Sequence, residues 1–241
     1  MKIYTRHKLR ESIVVFIDVL GFSKQILAST ANGNGTELLK KLCRAIKHAR
    51  TAFDFVYLPP LCCPTCEVKL FTDNIVIGFP IPEGKTMFEV MKSTVPKIAA
   101  YQCTFLEHGF FVRGGIAIGE HYMDRDIVFG PALIEAHSLE SEKAKYPRIV
   151  FSAEAAEFVD PEDQLSSLAA DIQLQYINYL EMEKCFPQGA IPRLEKHRKY
   201  VKENLNIYRD NSEVSPKYEW ARNYHNDFCN INFPTEVGLI I

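Results

Sequence analysis

The chain has 241 residues, a formal net charge of −2, 47% hydrophobic and 24% charged residues. Those proportions allow a packed core and exclude a disordered chain, and the charge balance leaves no basic footprint for broad nucleic-acid binding. No apolar run reaches membrane-spanning length, the charged start MKIYTRHKLR lacks the apolar stretch of a secretory leader, and seven cysteines spread over the chain suit reduced thiols, so the sequence reads as a cytoplasmic protein without membrane insertion.

In chain order, Ser12 to Leu20 (SIVVFIDVL) is a buried strand by its β-branched run. Gly21 breaks it, and Phe22 to Ala28 opens a short helix. Thr36 to Phe55 is a helix whose Leu38, Leu39, Leu42, Ile46, Ala49 and Phe53 share one face. After a Pro59–Pro64 loop, Val68 to Phe71 and Asn74 to Phe79 form a hairpin turning at Thr72-Asp73. Lys85 to His108 is helical, bent or started late by Pro96, with Gly109 closing it. Phe110 to Ile118 is a strand ended by Gly119, and Asp126 to Phe129 a short one. Gly130-Pro131 starts a helix to about Lys143. Arg148 to Ser152 is a strand entered through Tyr146-Pro147, a helix begins at Ser152, and Gln175 to Leu180 is a late strand. From about Pro192 the chain is mostly helical, and Trp220, Tyr224 and His225 suggest a packed structural cap.

The early β-α-β-β-α-β order is the ferredoxin-like arrangement of an α+β protein. It sets the end of the first strand beside the hairpin turn, bringing Asp18 and Asp73 to one end of adjacent strands. Asp73 alone would be an ordinary turn aspartate; Asp18, inside an apolar run, is costly to bury unpaired. Two carboxylates this close suit Mg²⁺ or Mn²⁺, which take one or two carboxylates and complete their shell with phosphates. The loop Leu20-Gly21-Phe22-Ser23 leads into a helix N-terminus whose amides can cradle a phosphate. Lys69 faces base or phosphate, or is a solvated strand lysine. Arg113 faces the site or makes a structural ion pair. A zinc site at Cys62, Cys63 and Cys66 would need a further Cys or His pair, and none is evident.

These motifs resemble those of class III nucleotide cyclases. FIDVLGFS is similar to their first metal motif, KLFTD to the second with its lysine four residues ahead, FVRGGIAIGE to their Arg-x-Gly-Ile strand, and DIVFGPALIEAHSLES and YPRIVFS to the segments that follow. The likeness covers residues 12 to 180. It implies a cyclase domain over 10–185 and a C-terminal, mostly helical extension over 186–241 packed on the same domain. It further implies two divalent cations held by Asp18, Asp73 and the Val19 carbonyl, with phosphate on the amides of Leu20 to Ser23. The sequence departs from the purine-specific pattern: Ile127, beside Asp126, stands at the base-reading place, Ile134 and Ser138 replace the asparagine and transition-state arginine, and Glu120 follows the Ile-Gly pair. Glu135 and His137 lie two apart on that helix, so at most one faces the site squarely.

The stretches RGGIAIGE, GPALIEAHSLE, AKYPRIVFS and KYEWARNYHND resemble the bacterial anti-phage (Pycsar) pyrimidine cyclases. That implies conversion of UTP to 3′,5′-cyclic UMP and diphosphate, with CTP or a purine triphosphate as the alternative, and a functional link through the cyclic nucleotide to a separate effector. It also implies a head-to-tail homodimer with a site at each interface. A reading of another class is a degenerate cyclase-like module that binds nucleotide without turnover. A dinucleotide cyclase is disfavoured, because the hairpin reads Phe71-Thr72-Asp73-Asn74 and carries no Gly-Gly-acidic-acidic-Phe run.

Overall fold

The computed structural model describes residues 7–55, 66–160, 162, 165–169 and 174–241. Its strands are β1 (Arg10–Val19), β2 (Glu67–Phe71), β3 (Asn74–Pro80), β4 (Val112–Met123), β5 (Val128–Phe129), β6 (Ile149–Phe151), β7 (Ser166–Ala169) and β8 (Leu174–Ile177). The helices are α1 (Phe22–Ala31), α2 (Gly35–Phe55), α3 (Met87–Glu107), α4 (Pro131–Glu142), α5 (Ala153–Ala156), α6 (Met182–Cys185), α7 (Ala190–Ile207) and α8 (Ser215–Asn232). One sheet runs in the order β2-β3-β1-β4-β6-β8-β7, with β5 paired to β4. Its first four strands are antiparallel neighbours in the ferredoxin-like order, and β6 adds parallel to β4.

β1 is apolar on both sides because both faces of the sheet are covered. Ile13, Val15 and Ile17 join the main core with Leu42, Ala45 and Ala49 of α2 and Val90, Met91 and Ile98 of α3. Val14 packs on the other face with Val76, Ala117, Met123, Ala132 and Ala136, the last two from α4. The Gly-Gly pair after Arg113 permits that close approach: a Cβ on Gly115 would lie 2.3 Å from the Ala136 carbonyl oxygen.

Three expectations are corrected, and one strand is added. β4 runs on through Gly119, because Arg10 to Ser12 extend far enough to pair with His121 to Gly119. Pro96 does not delay α3, which starts at Met87 under a capping box between Thr86 and Glu89. The late strand stops at Ile177, where a 3-10 turn over Tyr179–Glu181 takes over. Strand β7, which no sequence pattern anticipates, pairs with β8.

α7 and α8 are continuous with the main core: Leu194, Val201, Tyr218, Ala221 and Phe228 are buried in it. Phe111, just before β4, meets the rings of His197 and Tyr218 edge-on at 5.9 and 5.2 Å. Arg148 is buried against Tyr146, Tyr176 and Trp220, 5.0, 5.5 and 5.8 Å from the ring centres, so Trp220 serves packing as the sequence suggested. Among the described residues no helix is long and apolar enough to cross a membrane.

Candidate active site

The C-terminal end of β1 and the β2–β3 hairpin meet at a cleft of about 330 Å³ lined by Asp18, Val19, Leu20, Gly21, Phe22, Ser23, Lys24 and Asp73. Register explains the meeting: Asp18 lies across from Asn74 of β3 on one side and Arg113 of β4 on the other. One residue later the pairing with β3 ends while that with β4 reaches Val112, with Val19 N–H donating to the Asp73 carbonyl (3.1 Å) and Leu20 N–H to the Phe111 carbonyl (2.8 Å). Gly21 then turns with φ 69°, a left-handed conformation open to glycine, and α1 starts at Phe22.

Two hydroxyls orient Asp73. Thr72 Oγ1 lies 2.7 Å from Oδ1 and shares its one proton between that oxygen and the Phe71 carbonyl at 2.6 Å, and Ser23 Oγ donates to Oδ2 at 3.3 Å. Asp18 is held from behind, where Arg113 Nε donates to its Oδ2 at 3.1 Å. The same guanidinium meets Glu140 of α4 at 2.6 Å, an ion pair whose N–H points off the hydrogen-bond line. Burial raises the Asp18 carboxyl above its ordinary range; Arg113 opposes that shift and the Asp73 charge adds to it. Glu140 is raised too, first by burial, with Arg113 again opposing. Asp18 Oδ1 has no hydrogen-bond partner among the described residues.

This donor set fits a hard divalent cation. Among the described residues no group of three or more His, Cys, Asp or Glu could enclose a metal. The cleft instead offers two carboxylates beside the backbone of Val19, with room for a ligand to complete the shell. Cys62 and Cys63 lie outside the described residues, and Cys66 leads directly into β2.

Other expected residues fall differently. The Leu20 amide is committed to Phe111, so it is not available to phosphate; the amides that α1 leaves without an intrahelical acceptor belong to Phe22, Ser23 and Lys24, which line the cleft. Arg113 takes the ion-pair role and does not line the cleft. Lys69 stands outside it as well, donating to the Asp124 carbonyl at 3.2 Å. Asp124 in turn accepts from Tyr122 Oη and from the amides of Asp126 and Ile127, and the Tyr122 bond leads in holding its carboxyl at about 2. Ile134 and Glu135 are exposed, and the His137 ring meets Phe16 edge-on at 4.9 Å.

Sequence reasoning missed Glu140, and it missed that the C-terminal segment closes the cleft with Tyr208, Glu213, Val214, Lys217 and Tyr218. Lys217 follows Pro216 at the start of α8, and nothing in its local pattern distinguishes it from a surface lysine.

The fold defined by this sheet and its helices is that of class III nucleotide cyclase domains. The chain is similar to the adenylyl cyclase CyaB from P. aeruginosa, with a TM-score of 0.50 and 16% identity over 70% of this chain and 94% of that one. It is also similar to a class III adenylyl cyclase-like ATP-binding protein from Pseudomonas aeruginosa, with a TM-score of 0.50 and 13% identity over 83% of this chain and 44% of that one. No protein-family model matches the sequence, and no curated protein does.

Proposed function

We propose that this chain is a nucleotide cyclase that converts UTP to 3′,5′-cyclic UMP and diphosphate, using two divalent cations, Mn²⁺ or Mg²⁺. The observation that carries this reading is the convergence of Asp18 and Asp73 on one cleft beside the Gly21 turn. Asp18, Asp73 and the Val19 carbonyl hold the cations, which when bound lower the pKa of the ribose 3′-hydroxyl and neutralise charge on the triphosphate. Arg113 fixes the Asp18 carboxylate, Thr72 and Ser23 fix that of Asp73, and the first amides of α1 receive phosphate oxygen.

The enzyme acts as a head-to-tail homodimer, each site taking its base-reading residues from the partner. Support comes from the β2 edge of the sheet, where Lys69 touches the Asp124 loop and Phe71, Ile127 and Phe129 are exposed apolar side chains. Uracil as the base, the cytoplasmic setting and the role in anti-phage signalling through a separate effector rest on the likeness of sequence motifs to pyrimidine cyclases. A second reading, a degenerate module that binds nucleotide without turnover, is favoured by one observation: Ile134, at the usual asparagine position, is 69% exposed.

The test is to incubate the protein with Mn²⁺ and each of ATP, GTP, CTP and UTP, and to identify products by mass. Cyclic UMP supports the proposal. Cyclic CMP, or a cyclic purine nucleotide, keeps the chemistry and replaces the base. Triphosphate binding without any product selects the degenerate module.

A further inference from the structure

Beyond the metal-side residues, the cleft has a second wall that comes from the C-terminal segment of the same chain. Tyr208 caps the end of α7, and its hydroxyl sits 3.9 Å from where a Cβ on Gly21 would lie. Its ring stacks on Tyr218 at 5.7 Å with 7° between the planes, and Tyr218 is buried in the core, so this wall is anchored. Beside this pair Lys217 lines the cleft from the first turn of α8.

Lys217 occupies an unfavourable position for a lysine among protein groups alone. It is half-buried, and no ion pair or hydrogen bond fixes its ammonium among the described residues. The first turn of α8 contains no acidic residue, so the lysine adds positive charge to the positive end of the helix dipole. Burial opposes its charge and Arg113 repels it; Asp18, Glu213 and Glu140 offset this only in part. The cleft is thus two-sided: Asp18 and Asp73, with Lys24 beside them, on one wall, and Lys217, with Glu213 before it, on the other. A ligand that satisfies both walls carries cations toward the carboxylates and anionic oxygens toward the lysine, the charge layout of a metal-bound polyphosphate.

We propose that Lys217 is a polyphosphate ligand of this site, supplied in cis by the C-terminal extension, holding the terminal phosphates of the nucleotide and then the diphosphate product. The inference rests on the proposed triphosphate site but not on the identity of the base.

The test measures equilibrium binding of inorganic tripolyphosphate, UTP and UMP, each with Mn²⁺, to the full chain and to the Lys217→Ala, Lys217→Arg and Asp73→Ala variants. Lys217→Ala is expected to weaken tripolyphosphate and UTP by about tenfold or more while leaving UMP unchanged. Lys217→Arg is expected to recover most of the loss, and thermal midpoints identify any variant that fails to fold. Wild-type affinity for tripolyphosphate and UTP in Lys217→Ala, with Asp73→Ala still defective, overturns the role of Lys217 and keeps the metal site. Equal losses for UMP and UTP in Lys217→Ala also overturn it, since a structural defect would then explain both. A wild-type protein that binds neither polyphosphate overturns this inference and the cyclase reading together.

Discussion

At the end of β1, Asp18 keeps one carboxylate oxygen on Arg113 and leaves the other without a hydrogen-bond partner among the described residues, at the edge of a cleft. In the interior, beneath α7 and α8, His197 Nδ1 and His225 Nδ1 lie 3.1 Å apart with their rings stacked, and Tyr179 Oη lies 3.0 Å from His197 Nε2. One proton arrangement fits the interior chain: Tyr179 donates to His197 Nε2 and His197 Nδ1–H to His225 Nδ1, while the His225 ring also bonds the Gly238 backbone and its Nε2 lies 3.6 Å from Cys229 Sγ. Both imidazoles are then neutral, and burial depresses both, His197 well below its ordinary value and His225 to about 4. The interior cluster closes its hydrogen bonds internally and has the character of structure. The cleft leaves capacity unused and has the character of a site.

The largest effect that breaks this contrast is loss of a cleft carboxylate. Asp73→Ala is expected to lower turnover about 1000-fold and to abolish Mn²⁺-dependent triphosphate binding, with the thermal midpoint unchanged, because among the described residues the Asp73 side chain bonds only Thr72 and Ser23. Steady-state kinetics and a thermal scan on the same preparation check both halves.

Arg113→Ala tests where the cleft shades into structure. It removes the cation from between Asp18 and Glu140, whose side chains are 17% and 5% exposed. Stranding two carboxylates in this way costs about 3 kcal/mol, measurable by urea denaturation near neutral pH. Adding Glu140→Leu is expected to return part of that loss, because one of the two buried charges is then gone.

The histidine pair predicts a pH dependence with a definite sign. The unfolded chain protonates these imidazoles near pH 6.5, whereas the fold holds His225 neutral to about 4. Unfolded chains therefore bind more protons in that window, so stability is fully present above pH 6.5 and is lost as pH falls toward 4. The slope is about 1.4 kcal/mol per pH unit for each imidazole involved. One added proton would set two N–H groups against each other across the 3.1 Å contact. Denaturation midpoints across that range are expected to fall less steeply in His225→Phe than in the wild type. Parallel slopes would place the acid sensitivity elsewhere.

What was legible in the sequence was local. The run around Asp18 reads as a strand because both of its faces are buried, and the hairpin at Thr72-Asp73 because turn residues separate two apolar stretches. Those two features and the β-α-β-β-α-β order suffice to bring Asp18 and Asp73 together. Tertiary pairings had no such signal. Glu140 belongs to Arg113 only because Gly115 lets α4 sit close against the sheet. His197 and His225 meet across 28 residues of sequence, on helices whose relative rotation no period reveals. Lys217 and Tyr208 reach the cleft because α7 and α8 fold back over the start of β4, and apolar contacts such as Phe111 with Tyr218 hold them there.

The smallest expected effect sharpens the contrast most. Ser23 Oγ reaches Asp73 at 3.3 Å in an exposed setting, so it orients a carboxylate that Thr72 already holds more closely at 2.7 Å. A long, solvent-accessible hydrogen bond contributes at the low end of its range, so Ser23→Ala is expected to weaken Mn²⁺-dependent triphosphate binding by about threefold with stability unchanged. Thr72→Val, which keeps the shape and removes the shorter bond, is expected to cost more than Ser23→Ala. If Ser23→Ala instead matches Asp73→Ala, the hydroxyl itself ligates cation or phosphate. The cleft would then use its loop side chains as well as its backbone, and the division between orienting and binding groups would have to be redrawn at that residue.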